Sequence, residues 1–412
     1  MTLVEITKNS YEEFLNNTPF YSPFQNTQMA SLLSKRGYQT TFIALENENK
    51  IQVAGLLYKI PMTGGLHMEI NCGPVSLDKN DLPFFYKELK KYAKDNGALE
   101  LVVKPYETYQ SYDSFGEPTT PESQNLIEEL TDLGYSHDGL SKGYPGGEPD
   151  WHYVKDISQL HDKKDFINSI SKKAKPLLKK ANTFGIKLKK LSREELSIFK
   201  SITEKTSERR EYQDKSLSYY EDFYDSFQEK ADFMIATINF DDYEKNILTN
   251  RESLVQTIAK FTDNISDINQ LHVKKRKQFK ELNHQLETFD IRLKEAKELK
   301  EKYGYQDIPI ACALFIFDLK EAVYLFSGSL TEFNKFYAPI LLQEYAITKA
   351  ISLHIPVYNF LGITGYFDGS DGVLRFKQNF NGYINRKMGT FRYYPSPLKF
   401  KFIQLIKKLL NR

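Results

Sequence analysis

The chain has 412 residues, 41% of them hydrophobic and 14% aromatic, which exceeds one ordinary domain and is ample for packed cores. A formal net charge of +2 excludes a globally basic coat for nucleic acid, so any polyanion contact must be local. Cys72 and Cys312 are the only cysteines, and with both in apolar strand-like runs they offer neither a disulfide framework nor a metal site; together with a first segment lacking an apolar signal core and no stretch approaching a bilayer span, they lead us to expect a cytoplasmic protein.

In chain order, residues 41–45 and 51–60 read as two strands joined by the polar turn Glu46 to Asn49, a hairpin. A helix follows over 82–94 and stops at Gly97, and Ala98 to Val103 has the composition of a buried strand. Beyond Pro105 the chain is expected to loosen through Thr108 to Pro121, and residues 141–150 form a second loop dense in Gly and Pro. Neither glycine cluster has the G-x-G-x-x-G or Walker spacing, so a phosphate cradle of either kind is unsupported. From Phe166 the sequence turns helical and basic. A strand over 186–191, helices over 194–211 and 216–228, and a strand from Phe233 come next. Strands at 310–318 and 322–327, a helix over 337–353 and a strand over 357–361 close the pattern. Strand, helices, hairpin, helix, strand thus occurs twice, which indicates two α/β (α+β) domains.

The second hairpin is interrupted. Apolar residues recur at three- and four-residue steps through Phe240, Tyr243, Ile247, Leu254, Ile258, Phe261, Ile265 and Ile268, then through Phe279, Leu282, Leu286, Phe289, Leu293 and Ala296. Two antiparallel helices, reversing within the polar stretch Asp263 to Asn269, fit this seam; arms of roughly two dozen residues would reach about 35 to 40 Å. The expected division is 1–150 for the first domain, 151–240 with 304–412 for the second, and 241–303 for the inserted arm. Lys274, Lys275, Arg276, Lys277 and Lys280 crowd the start of the returning helix, and further lysines continue it among glutamates. Such mixed charge suits a solvated coiled-coil face as well as a nucleic-acid surface.

Tyr358-Asn359-Phe360-Leu361-Gly362-Ile363, the stretch Gly372 to Gly382 with Phe376-Lys377-Gln378-Asn379-Phe380-Asn381-Gly382, and Tyr324 to Ser329 followed by Tyr337-Ala338-Pro339-Ile340-Leu341-Leu342-Gln343 resemble the Fem (FemABX) family of non-ribosomal peptidyl transferases over nearly the whole chain. The helical arm resembles the MurM and MurN branch, and Gly64 to Glu69 with Tyr144 to Trp151 looks more like MurN. The resemblance implies two acetyltransferase-like (GNAT-like) domains. It also implies transfer of an aminoacyl group from charged tRNA to an amine on the peptide stem of the lipid-linked peptidoglycan precursor (lipid II), in the MurN-like case alanine at the second position of the interpeptide bridge. The arm is similar to that of seryl-tRNA synthetases, where it contacts tRNA. No cofactor is expected beyond aminoacyl-tRNA as co-substrate.

An aminoacyl ester is already activated, so such an enzyme needs alignment, oxyanion stabilisation and proton handling rather than a nucleophile triad or a metal. The resemblance assigns Lys377 to the oxyanion or the ester, although by charge alone it reads as an exposed surface lysine. For the acceptor, with its pyrophosphate and sugar, the family uses an arginine and a tyrosine from the segment resembling Ser207 to Tyr212 and Ser218 to Tyr220. Arg209 comes first, Arg210 second, with Tyr219 or Tyr220; ion pairs and packing at helix ends are the plainer reading. Tyr324 is a further substrate-facing candidate, with Phe326 standing where relatives often carry tyrosine. Two departures are visible: Leu33 replaces a substrate-binding lysine, with Lys35 and Arg36 nearby, and Lys104-Pro105 replaces an aspartate before proline. Glu107 is then the nearest carboxylate and a candidate base, the alternatives being solvent or the substrate itself. His67 and His354 read as satisfied core or boundary residues.

The segment 397–412 is basic and amphipathic, suited to contact with the anionic inner face of the cell membrane or to docking on its own domain. Two other functional classes compete with aminoacyl transfer: a non-catalytic tRNA- or RNA-binding protein, and an acyl-CoA-dependent N-acyltransferase. The second would need an Arg/Gln-x-x-Gly-x-Gly/Ala loop, which the sequence lacks.

Overall fold

A computed structural model describes residues 1–144, 149–263 and 272–409. Two mixed sheets organise it, each built around one parallel strand pair. The first runs, edge to edge, through Thr2–Ile6, Gln39–Asn47, Lys50–Met62, Gly65–Asn71, Ala98–Lys104, Phe391–Tyr393 and Ser136–His137. The second runs through Lys187–Lys190, Ala231–Asn239, Asp307–Phe317, Glu321–Ser329, Val357–Ile363, Trp151–Asp156, Tyr383–Lys387 and Thr108–Tyr112. In both, antiparallel strands lead to a parallel pair, Gly65–Asn71 with Ala98–Lys104 and Glu321–Ser329 with Val357–Ile363. These are the two α/β units of the sequence expectation.

Local chemistry accounts for the elements that were legible. The first hairpin turns at Glu48 and Asn49, both with φ near +50° to +60°, the tight turn whose twist matches its strands. Helix Leu82–Asp95 opens with Pro83 in its first turn and is followed by Gly97 at φ +76°. Its buried Leu82, Phe85, Tyr86, Leu89 and Ala93 pack on Met68, Ile70, Leu101 and Val103 of the first sheet.

The division at residue 150 is corrected by strand exchange. Thr108–Tyr112, expected to be loose, is an edge strand of the second sheet, antiparallel to Tyr383–Lys387 with Ser111 opposite Asn385. Phe391–Tyr393 returns to the first sheet, beside Ala98–Lys104. The ladder partner of each strand is distant in sequence, and the local backbone-to-backbone contacts of Thr108–Tyr112 amount to a single bridge, Tyr112 to Pro118, and the bonds of Ser111 with Thr119 and Tyr109 with Ser123. Gly382 shows how tightly this crossover is packed: a Cβ there would lie 2.3 Å from the Val154 carbonyl oxygen and 2.6 Å from the Tyr153 ring.

Two helices separate Ala231–Asn239 from Asp307–Phe317. Ala231–Asn239 and Asp307–Phe317 pair antiparallel, with Asn239 opposite Asp307, so the sheet continues across the base of the arm. Helix Phe240–Thr262 (23 residues) and helix Val273–Tyr303 (31 residues) run antiparallel: Phe261 stacks on Phe279 at 6.0 Å, Arg251 pairs with Asp290 at 2.7 Å, and Lys300 pairs with Asp241 at 2.6 Å. The longer helix is about 45 Å at 1.5 Å per residue. Most of the proposed reversal, with Ile265 and Ile268, lies outside the described residues. Phe240, Tyr243, Ile247, Leu254 and Ala296 are buried, whereas Ile258, Phe261, Phe279 and Leu282 are half-exposed. The arm is therefore rooted at its base and thinly packed towards its tip.

On the first sheet, alternate residues facing away from the core form an ionic network. His67 bridges Glu69 and Glu100 at 3.0 Å each, Lys104 meets Glu69 at 3.0 Å, and Arg392 meets Glu100 at 2.8 Å. This fits the boundary reading of His67; His354 instead is exposed, at φ +56° in the turn after helix Ala338–Ser352. Hydrogen bonds to Glu100 and Glu69 push the imidazole up to about 9 from 6.5, while bonds from His67 and Lys104 outweigh burial and hold Glu69 down at about 2 from 4.5. The imidazolium bridge is complete below pH 6.5 and lost as pH rises through about 9; the Glu69 contribution is complete above 4.5 and lost as pH falls through about 2. The stability gap between wild type and His67→Gln in urea titrations is therefore expected to be largest between pH 4.5 and 6.5 and to shrink towards pH 9; a gap that is flat with pH would contradict the network.

Candidate active site

The parallel ladder between Glu321–Ser329 and Val357–Ile363 is short. It pairs Glu321 with Val357, Ala322 with Tyr358 and Val323 with Asn359, and ends there. The cause is local to Val357–Ile363. Leu361 takes φ +56°, its N–H donates to Asn359 Oδ1 at 2.7 Å, and the register towards Trp151–Asp156 shifts between Asn359 and Gly362. The opened edge of Glu321–Ser329 is the kind of surface that receives an extended acyl or peptide chain through backbone hydrogen bonds.

Lys377 sits at this opening. It ends the short helix Gly372–Lys377, which starts at Asp371, whose Oδ1 accepts from the N–H groups of Val373 and Leu374 and whose Oδ2 accepts from Thr364. The Lys377 ammonium donates to the carbonyls of Gly362 at 2.6 Å and Leu361 at 3.0 Å. With 3% of its surface exposed it is not the surface lysine that charge alone suggests. Burial pulls it down to about 7, against the opposing pull of Asp371.

The two arginines separate. Arg209 donates to Thr331 Oγ1 at 2.6 Å and to the Ser329 carbonyl at 3.4 Å, fastening the end of helix Leu196–Arg210 to the end of Glu321–Ser329. Arg210 is exposed and has no hydrogen bond or ion pair among the described residues, and it is close enough to act electrostatically on Lys377, Tyr324, Tyr144 and Tyr212. Of the two, the second-ranked arginine is thus the one within electrostatic reach of Lys377. The tyrosines separate likewise. Tyr220 is core, donating to Asp214 at 2.7 Å and packed on Phe199 and Phe233. Tyr219 lies edge-on to Phe326 at 6.1 Å with Arg36 over its ring at 5.7 Å, and burial raises its hydroxyl to about 12. Tyr324 stacks on Phe315 at 5.6 Å and is likewise raised to about 12 by burial. Phe326, Leu325, Leu361 and Tyr219 share one apolar cluster with Phe24 and Met29 of the first domain, so both domains wall the opening.

At the departures, Leu33 is half-buried, Lys35 pairs with Asp225 at 3.7 Å and Arg36 with Asp222 at 3.4 Å. Both cations thus serve the contact between helix Thr27–Lys35 and helix Leu217–Phe227. Glu107 is half-buried, with Oε2 shielded from solvent and lacking a hydrogen-bond partner, and burial raises its carboxyl. Such a carboxyl is chemically fit to take a proton.

Sequence reasoning missed the groups that link Glu107 to Lys377. Lys387, pulled down by burial, acts electrostatically on Glu107 and Glu321 and donates to the Tyr106 carbonyl at 2.9 Å. Glu321, raised to about 7 by burial, accepts from the Tyr106 hydroxyl at 2.8 Å and from Asn359 Nδ2 at 3.0 Å. Asn359 also lies 3.2 Å from His152 Nδ1, and His152, held neutral by burial, feels both Lys387 and Lys377. The available signal was polar residues inside otherwise apolar strands: His152 after Trp151, Asn359 between Tyr358 and Phe360.

On the arm, Lys274, Lys275, Arg276, Lys277 and Lys280 are exposed and form no ion pair among the described residues, whereas the basal Lys300 and Lys302 are committed to Asp241, Glu244 and Glu332. Unpaired positive charge is therefore densest at the start of the returning helix, with Lys294 and Lys297 also exposed and without an ion pair among the described residues nearer the base. Among the described residues no group of His, Cys, Asp and Glu is arranged to hold a metal ion, and no helix is long and apolar enough to cross a membrane.

A profile of the FemAB family matches residues 6–408. The aminoacyltransferase FemA of Staphylococcus aureus (strain bovine RF122 / ET3-1) is 30% identical over 404 residues, covering 95% of this chain and 94% of the relative; FemA of strain MRSA252 matches to the same extent. The crystal structure of FemX superposes with a TM-score of 0.75 at 20% identity, over 99% of this chain and all of that one, a likeness of fold.

Two outcomes follow from the geometry. In NMR of protein grown with 13Cε-labelled lysine, the signal absent from Lys377→Met is expected to titrate near pH 7, with titration alongside surface lysines counting against the buried geometry. Glu321→Ala leaves Tyr106, Asn359 and Lys387 without their acceptor or counter-charge, and is expected to cost on the order of 3 kcal/mol in urea unfolding.

Proposed function

The chain belongs to the FemAB family and is an aminoacyltransferase, and from that premise we propose that it takes its aminoacyl group from charged tRNA and adds it to the peptide stem of the lipid-linked peptidoglycan precursor. The observation that carries this reading is Lys377, buried at the end of the short parallel ladder and within electrostatic reach of Arg210. The acceptor amine attacks the ester carbonyl, a C–N bond forms, the ester C–O bond breaks, the amine gives up a proton and the tRNA ribose oxygen receives one. Lys377 supplies positive charge where the tetrahedral oxyanion develops, in surroundings from which water is largely excluded. Its lowered proton affinity also lets it pass a proton towards the leaving ribose oxygen.

Arg210, with Tyr219 at the mouth, is suited to the precursor's phosphates, since guanidinium geometry matches phosphate oxygens. Glu107 and Glu321, both of raised proton affinity, are the carboxylates available to take the amine's proton. The free cations of the arm, Lys274 to Lys277 and Lys280, are suited to the tRNA backbone, and the committed basal lysines are not. The MurN-like stretches Gly64 to Glu69 and Tyr144 to Trp151 favour alanine as donor and a once-extended stem as acceptor.

The test supplies alanyl-, seryl- and glycyl-tRNA with the unmodified and the once-extended precursor. Labelled alanine on the once-extended precursor is expected, reduced roughly a hundredfold or more by Lys377→Met. Absence of transfer to either acceptor, with a related enzyme active in parallel, would falsify the reading. Replacing residues 255–285 by a short glycine linker, which leaves the buried Tyr243, Ile247, Leu254 and Ala296 in place, is expected to raise KM for charged tRNA while precursor binding persists; loss of both together would count against a tRNA role separable from the fold.

A further inference from the structure

The last helix, Pro397–Leu409, attaches to the body by one edge only. Phe400 packs on Tyr394 with ring centroids 4.1 Å apart, and Ile403 reaches the turn at Gly64, close enough that a Cβ there would meet its Cδ1, with Leu99 beside it. At about 100° per residue these two side chains occupy one side of the helix. The opposite side carries Leu398, Phe402, Leu405 and Leu409, spaced four, three and four residues apart, and they are 82%, 63%, 55% and 75% exposed. A helix that serves only to cover its own domain turns its apolar stripe inward. This one turns its stripe outward.

The flanks of that stripe are cationic. Lys401 and Lys408 lie along one margin and Lys399 along the other, all exposed, and the helix contains no acidic residue. None of its lysines forms an ion pair among the described residues. Large apolar side chains with lysines on either margin match the boundary of a bilayer, where the stripe enters the acyl region and the ammonium groups remain among anionic headgroups. A second copy fits poorly. Two such helices meeting face to face about a two-fold axis would set lysine margins against lysine margins, a like-charge arrangement with no acidic residue to relieve it.

We propose that Pro397–Leu409 is an in-plane docking helix for an anionic lipid surface, inserting Leu398, Phe402, Leu405 and Leu409 and holding the first domain's Gly64 turn beside the membrane. The contact suits a lipid-linked acceptor and so deepens the proposed function, but it is independently testable because vesicle binding requires no aminoacyl group.

The experiment sediments the full chain with vesicles of equimolar phosphatidylglycerol and phosphatidylcholine, and with vesicles of phosphatidylcholine alone. Binding to the anionic vesicles is expected, weakened by salt and reduced roughly tenfold or more by Lys401→Glu with Lys408→Glu, and to a similar degree by Phe402→Ser with Leu405→Ser. All four side chains are exposed, so both double variants should melt with wild type, which separates lost docking from misfolding. Absent binding, equal binding to the uncharged vesicles, or a self-associated species in sedimentation velocity that Phe402→Ser with Leu405→Ser dissolves would each overturn the proposal. Failure of aminoacyl transfer with vesicle binding intact would count against the proposed function alone.

Discussion

Asp318 and Glu321 bracket a turn of two residues, and both carboxylates are sunk where the two domains meet, each with 2% of its surface exposed. A buried carboxylate is tolerated only with hydrogen bonds and compensating charge; here the charge comes from Lys230 and Lys387 of the same domain, and most of the neutral side-chain donors come from the other. Asp318 accepts from the Tyr21 hydroxyl at 2.6 Å and from Asn26 at 2.5 Å, with Lys230 at 3.3 Å. Glu321 accepts from Tyr106. Breaking the domain contact would strip Asp318 of Tyr21 and Asn26 and Glu321 of Tyr106, leaving each buried carboxylate under-satisfied with only Lys230 or Asn359 as its side-chain hydrogen-bond partner, so the turn ties the first domain to the start of the parallel ladder. The position of that ladder, and of the opening at its end, depends on this seam.

From there the site follows by packing. Leu361 in a left-handed conformation diverts its strand, freeing two carbonyls that need donors, and Lys377 provides them. The same burial that makes this bond necessary lowers the lysine's proton affinity. Structural and chemical roles therefore coincide at one side chain. The strand exchange adds a second tie: Tyr383–Lys387 carries Lys387 into the seam, and the chain then crosses to the first sheet at Phe391–Tyr393.

The candidate site was partly legible. Lys377 was reached through the motif around it, because glycine and aromatic residues at fixed spacing mark a strand end and the helix that follows. Arg210 and Tyr219 were reached only as members of pairs, since neighbouring residues on a helix point about 100° apart and a single sequence does not fix which faces inward. Glu321 was not reached at all. Beside a turn it looks like an ordinary exposed acid, and only its distant partners Tyr106 and Asn359 make it a buried one.

By itself the sequence determined what is encoded by short-range periodicity: the first hairpin, the helices Leu82–Asp95 and Ala338–Ser352, the doubled α/β pattern, and the inserted helix pair with its seam. Those features depend on residues a few positions apart, where sterics and hydrophobic spacing act directly. Only the tertiary structure decided the exchange of Thr108–Tyr112 and Phe391–Tyr393 between sheets, the buried chain of titratable groups from Glu107 to Lys377, and the outward face of Pro397–Leu409. Each depends on contacts between residues far apart in the chain. Burial, which fixes both charge state and exposure, is a property of those contacts and not of any segment alone.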